Sequence, residues 1–115
     1  MTHSMKLQDE PFQKIARGEK TFELRLYDEK RKSIRIGDEI EFVHATDSQR
    51  RLRCVVLNLH LFDTFEALYR TLPLLLCGYT EENLATASYT DMEKYYTREQ
   101  QNQYGVVGIE IQLLS

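Results

Sequence analysis

The chain has 115 residues, 42% of them hydrophobic and 29% charged, which suits one globular domain with a single core and leaves too little material for two. Its formal net charge of -3 excludes a protein that coats nucleic acid by bulk attraction. The longest apolar run, Leu72 to Cys77, is interrupted by Pro73 and falls far short of the roughly 20 residues that cross a bilayer, which excludes a helical membrane span.

Residues 1–4, Met-Thr-His-Ser, lack the charged start and apolar core of a secretion signal, so a cytoplasmic protein is expected. They read as an appended tag or disordered start before a single domain over 5–115. Met5 to Leu7 can form a first strand. Asp9-Glu10-Pro11 then opens a helix whose Phe12, Ile15 and Ala16 fall on one face, and Gly18 closes it. From Thr21 the parity changes to two: Phe22, Leu24 and Leu26 alternate with Thr21, Glu23 and Arg25, so one face packs and the other presents ionisable groups, with Lys20 fed in from the turn. Strict alternation would instead put Lys20 on the side of Phe22. Asp28 to Ser33 is a charged connection with a helical turn. Gly37-Asp38 marks a turn before the strand of Ile40, Phe42 and Val43, and Thr46 to Gln49 is a hairpin loop. Leu52 to Leu61 carries apolar residues on both parities and is expected to be a central strand covered on both faces.

Beyond it, Asp63 and Glu66 make a capping pair, Phe65, Leu68 and Leu72 one apolar stripe, and Leu74, Leu75 and Leu76 a segment too apolar for solvent. Thr80 and Thr90 offer further helix starts, which predicts a mainly helical block over 64–103. Val107, Ile109, Ile111 and Leu113 then alternate as a closing strand. Strands before and after a block of helices imply an α+β fold. His44 and His60 read as packed or hydrogen-bonded strand histidines, and Cys54 and Cys77, without CxxC spacing, as free core thiols. With the five glycines dispersed and no ligand-like cysteine or histidine grouping, no cofactor and no metal are expected. Charge is uneven: residues 1–57 hold 12 Lys and Arg against 10 Asp and Glu, and residues 58–115 hold 3 against 8. An anionic ligand is therefore expected on the first half, although Lys30 to Arg35 and Arg50 to Arg53 read singly as solvated loop charges. Tyr79, Tyr89, Tyr95, Tyr96 and Tyr104 fall in or just after the helical block, where they can roof a site.

The order Gly18-x-Lys20-x-x-Glu23-x-Arg25, together with Gly37-Asp38 before a strand and the run Asn102 to Glu110, closely resembles the ASCH (activating signal cointegrator homology) family, small prokaryotic type, related to PUA domains. The likeness covers nearly the whole chain after Met5. It implies a small β-barrel of five or six strands with the helical block packed beside it. It also implies a cleft in which Lys20, Glu23, Arg25 and Tyr104 meet a ligand: a nucleotide, a modified nucleoside or a short single-stranded RNA. Members of the family are generally inferred to bind RNA. Some small bacterial members are amidohydrolases that deacetylate N4-acetylcytidine with a lysine, a threonine and a glutamate. Lys20 matches their lysine, Glu23 stands where they have threonine, and Glu66, Glu81 and Glu82 are the candidates for their glutamate. On that alternative, or on that of a small ribonuclease, Lys20 and Glu23 are the catalytic pair. Lys20→Ala is expected to cost no more than about 1 kcal/mol of stability if Lys20 is a cleft cation and not a core side chain.

Overall fold

The period-two runs become five strands in the computed structural model, which describes residues 1–114: β1 (Thr2–Leu7), β2 (Phe22–Leu26), β3 (Glu39–His44), β4 (Arg51–Phe62) and β5 (Val106–Leu114). They form one curled half-barrel sheet in the order β1-β3-β4-β5-β2, parallel between β1 and β3 and antiparallel elsewhere. The architecture is α+β, as expected. Thr2, His3 and Ser4 pair with Glu39, Ile40 and Glu41, so the residues set apart as a tag or disordered start extend an edge strand. β1 and β2 are the two edges. Between them the Arg25 guanidinium donates to the Lys6 carbonyl oxygen at 3.0 Å, a side chain doing for the open seam what a ladder does elsewhere.

Two apolar clusters lie on the two sides of β2 and β5. Inside the curl, Met5, Ile40, Phe42, Val56, Ile109 and Ile111 pack with Phe12 and Ile15 of helix α1 (Asp9–Ala16). On the outer side, Phe22, Leu24 and Leu26 pack with Phe65, Leu68 and Leu72. Helix α2 (Glu29–Lys32) is the short turn expected in the charged connection, capped by the Asp28 side chain. β4 holds the middle of the sheet, but the expectation that both of its faces are covered fails. Leu57 lies in a register shift between Val56 and Asn58 and is exposed, and Leu61, beyond the shift, is exposed as well.

The block over 64–103 is mainly helical as expected, but in short pieces rather than long helices. It holds helix α3 (Phe65–Thr71), three 3-10 turns (Leu74–Leu76, Leu84–Thr86, Tyr89–Lys94) and the start of helix α4 (Arg98–Tyr104). Polar side chains take the backbone donors that longer helices would use: Asn83 accepts from Thr80 N–H, and the Ser88 hydroxyl accepts from Thr90 N–H. Phe65, Leu68 and Leu72 are buried as expected, whereas Leu75 and Leu76 are 41% and 39% exposed. With three residues per 3-10 turn, successive side chains diverge and cannot share one apolar face. No helix among the described residues is long and apolar enough to cross a membrane. Phe22→Ala is expected to cost about 3 kcal/mol in urea unfolding, because it empties a buried ring site between His60 and the α3 cluster.

Candidate functional site

The site is built by the way α1 stops. Gly18 takes φ +76°, its N–H donates to the Ile15 carbonyl at 3.0 Å and the Glu19 N–H to the Lys14 carbonyl at 2.9 Å, a paired C-terminal cap that needs a left-handed residue at Gly18. The turn releases the chain directly onto β2. Thr21 N–H donates to the Leu76 carbonyl at 2.9 Å and Ile111 N–H to the Thr21 carbonyl at 2.9 Å, which fixes the backbone immediately after Lys20.

Glu23 and Arg25 stand opposite Ile109 and Val107 of β5 and therefore face the inside of the curl, while Phe22, Leu24 and Leu26 go beneath α3. The ionisable face of the strand is thus buried rather than solvated. Lys20 is 8% and Glu23 5% exposed. The Lys20 ammonium lies 3.2 Å from Glu23 Oε1, and the Arg25 Nε–H donates to Glu23 Oε2 at 2.6 Å. One carboxylate joins two cations, and reach rather than parity decides the placement of Lys20, whose flexible stem curls back three residues. Burial alone would raise the Glu23 carboxyl; the charges of Lys20 and then Arg25 outweigh it and hold Glu23 below the ordinary carboxylate range. Burial would likewise lower Arg25, but the Glu23 charge, with the Tyr96 phenol adding to it, holds the guanidinium above its ordinary value.

The three groups sit at the base of a cleft of about 540 Å³ between the β1 and β2 edges and the block. Five cationic side chains (Lys6, Lys14, Lys20, Arg25, Lys94) and three acidic ones (Glu10, Glu23, Asp91) line it, a local excess of positive charge on an acidic protein. The far wall is phenolic, from Tyr69, Tyr79, Tyr95 and Tyr96. Tyr79 donates to Asp91 at 2.6 Å and lies 2.7 Å from the Tyr69 hydroxyl. Burial, followed by the bond to Asp91, pushes the Tyr79 phenol far up, and burial pushes Tyr69 to about 12, so both keep their protons at neutral pH. The Cys77 thiol on the same wall is raised to about 11 by burial, which removes it as a thiolate nucleophile.

Three successive carbonyls of the block lean on the other side of the site. Leu76 accepts from Thr21 N–H, Cys77 from Lys20 Nζ at 3.1 Å and Gly78 from Lys14 Nζ at 2.5 Å. Gly78, at φ +113°, lets the chain turn there, and a Cβ on it would meet Lys20 Nζ at 3.6 Å. Lys20 is consequently a buried ion-pair and carbonyl partner. The expectation of a cost within about 1 kcal/mol for its removal is replaced by about 3 kcal/mol, since Ala would leave part of a buried charge network unmatched.

Of the residues singled out in the sequence, Lys20, Glu23 and Arg25 come together. Tyr104 does not join them. It lines a separate shallow pocket with Tyr27 and Phe62. Antiparallel register sets the start of β5 beside Leu26, at the far end of β2 from Lys20, roughly 13 Å along the strand at about 3.3 Å per residue. Glu66 pairs with Arg70 and Arg98, and neither it nor the exposed Glu81 and Glu82 line the cleft. Arg51 and Arg53 pair with Glu41 and Glu39, outside the cleft. His44 bonds Asp9 and His60 bonds Glu110, and the free thiols of Cys54 and Cys77 sit in different apolar clusters. Lys14 and Asp91 were not singled out as site residues. Lys14 carries only the signal of an i,i+4 pair with Glu10, which it also makes, and Asp91 that of a helix-start acid, which it is in the Ser88 capping box.

A family model described as the ASCH domain matches residues 5–115. The crystal structure of hypothetical protein PH0355, from Pyrococcus, is similar at 28% identity and a TM-score of 0.80, over 99% of this chain and 100% of that one. The solution NMR structure of protein PF0455 from Pyrococcus furiosus is similar at 30% identity and a TM-score of 0.76, over 100% of this chain and 99% of that one. No curated protein matches the sequence.

Because the Glu23 carboxyl is depressed in the folded protein, its stabilising contribution is fully present above the unfolded value of about 4.5 and is lost as pH falls through the folded value. Glu23→Gln, which leaves Lys20 and Arg25 facing each other without a counter-charge, is expected to cost about 3 kcal/mol at pH 7. In urea titrations between pH 7 and 2 the gap between wild type and variant should close at the acid end. A gap constant with pH would show that Glu23 is not the ionised centre of the network.

Proposed function

The chain belongs to the ASCH domain family, and on that premise we propose that the cleft over Lys20, Glu23 and Arg25 binds a nucleotide or a short single-stranded or modified RNA segment. The observation that carries the reading is an ionised carboxylate, joined to two cations, at the base of a cleft of about 540 Å³ with a phenolic wall. Cavities of roughly 300–1,000 Å³ suit one small molecule, which is the scale of a single nucleotide and too little for a duplex. Glu23 keeps acceptor capacity toward base or ribose donors, Lys20 and Arg25 supply donors to base carbonyl oxygens, and tyrosine rings offer faces on which a base stacks. The overall charge of -3 is compatible with this only for a short ligand, because a long strand would meet the acidic remainder of the surface.

The contact between Lys20 and Glu23 inside the cleft favours hydrolysis of a modified nucleoside, of the N4-acetylcytidine type, or of RNA as a second reading. Binding remains the stronger one. Lys20 is already engaged by Glu23 and by the Cys77 carbonyl, and Glu23 held between two cations is a poor proton donor.

The two separate when purified protein is mixed with nucleosides, nucleotides, acylated nucleosides and short RNAs, with thermal shift and product formation followed together. A ligand that stabilises without turnover supports the module, and release of free acid or cleaved RNA supports the hydrolase. Lys20→Ala, assayed on its folded fraction, should bind that ligand about 2 kcal/mol more weakly, roughly thirtyfold. Tyr104→Phe, in the other pocket, should stay within about twofold, an energy change of roughly 0.4 kcal/mol. Undiminished affinity in folded Lys20→Ala would end the assignment of Lys20 to the site.

A further inference from the structure

The tyrosines around the cleft are not equivalent. Tyr69 and Tyr79 are bonded to each other edge to face, with Tyr79 tied to Asp91; Tyr96 stacks on Phe65 at 5.7 Å; and Tyr89 lies beneath the Arg98 guanidinium at 5.4 Å. Tyr95 is 70% exposed, lines the cleft, and among the described residues has no ring or guanidinium packed on it. Its ring is a free aromatic face at the cleft. Its backbone is nevertheless well held: Tyr95 follows the Tyr89–Lys94 turn, which the Ser88–Asp91 capping box fixes, and its N–H donates to the Met92 carbonyl at 3.1 Å. The residue before it, Lys94, also lines the cleft, and no carboxylate among the described residues lies within ion-pairing distance of it. By contrast Lys14, Lys20 and Arg25, deeper in, are each committed to a glutamate.

The base of the cleft therefore offers Glu23 and backbone carbonyls beside neutralised cations, a poor seat for a phosphate, whereas the rim offers an uncommitted ammonium next to an uncommitted ring. Resting on the reading of the cleft as a nucleotide site, we infer that Lys94 and Tyr95 form a second subsite at the mouth, where the neighbouring nucleotide of a single-stranded oligonucleotide lies with its base on the Tyr95 ring and the linking phosphate at Lys94. The ligand is then a strand that enters base-first and continues over the rim, not an isolated mononucleotide. Stacking on one exposed ring tolerates any base, so this subsite adds affinity without sequence choice.

The test titrates the intact protein with the four ribonucleoside 5′-monophosphates and with the four homotetraribonucleotides, by calorimetry. Wild type should bind its best tetranucleotide about tenfold or more tighter than the matching monophosphate. Tyr95→Ala should erase that gain, so that tetranucleotide and monophosphate bind the variant alike, and Tyr95→Phe, which keeps the ring, should retain it. Lys94→Ala should reduce the slope of log affinity against log salt for the tetranucleotide by about 0.7. The inference is overturned, with the cleft reading intact, if monophosphate and tetranucleotide bind wild type alike, if Tyr95→Ala weakens both equally, or if Tyr95→Phe loses as much as Tyr95→Ala. If wild type binds neither series, both the cleft reading and the subsite fail.

Discussion

A carboxylate as buried as Glu23 is ionised only if cations are delivered to it, and most of the local architecture can be understood as that delivery. Lys20 arrives because α1 ends in a left-handed glycine four residues before β2 begins, and Arg25 arrives because strand parity returns the chain to the same face two residues later. Neither cation is spent on Glu23 alone. Lys20 also holds the Cys77 carbonyl and Arg25 the Lys6 carbonyl, so the charge centre fastens the block to one side and the β1 edge to the other. The same few atoms set the electrostatics of the cleft and the separation of its walls.

How far this was legible in the sequence depended on the range of the interaction. Phe22, Leu24 and Leu26 against Glu23 and Arg25 announced a strand with two unlike faces, because a period of two is written locally. That the unlike face would point into the curl was not written there; it follows from β5 pairing with β2 more than 80 residues away. Lys20 could not be placed by alternation, since it precedes the strand and a four-carbon stem can reach either side. Tyr104 was misplaced for a similar reason. Its neighbourhood in sequence matched the family, but register sent the beginning of β5 to the wrong end of β2.

The block between β4 and α4 was the least legible part. Leu74 to Leu76 looked like core by composition, and their tight turn instead spends its backbone on the site while the side chains diverge. Tyr79 and Asp91 became partners only through the fold, twelve residues apart across a loop whose path no hydrophobic period specifies. Polar side chains direct that path, and their hydrogen bonds are individually weak and locally ambiguous.

The strand order also dictates a sequence of events. β2 has a single neighbour in the sheet, β5, and β5 comes last along the chain. During synthesis β1 can find β3, and β3 can find β4, from chain already made, but the strand carrying Glu23 and Arg25 must wait unpaired until some 80 further residues have been added. Loop closure of that span is slow, so the cleft is the last feature to assemble and Glu23 is solvated until it does. A chain that stalls before β5 would therefore present a half-formed curl of β1, β3 and β4 whose open edge is β4, with β2 unpaired and its Phe22, Leu24 and Leu26 exposed to any extended segment nearby.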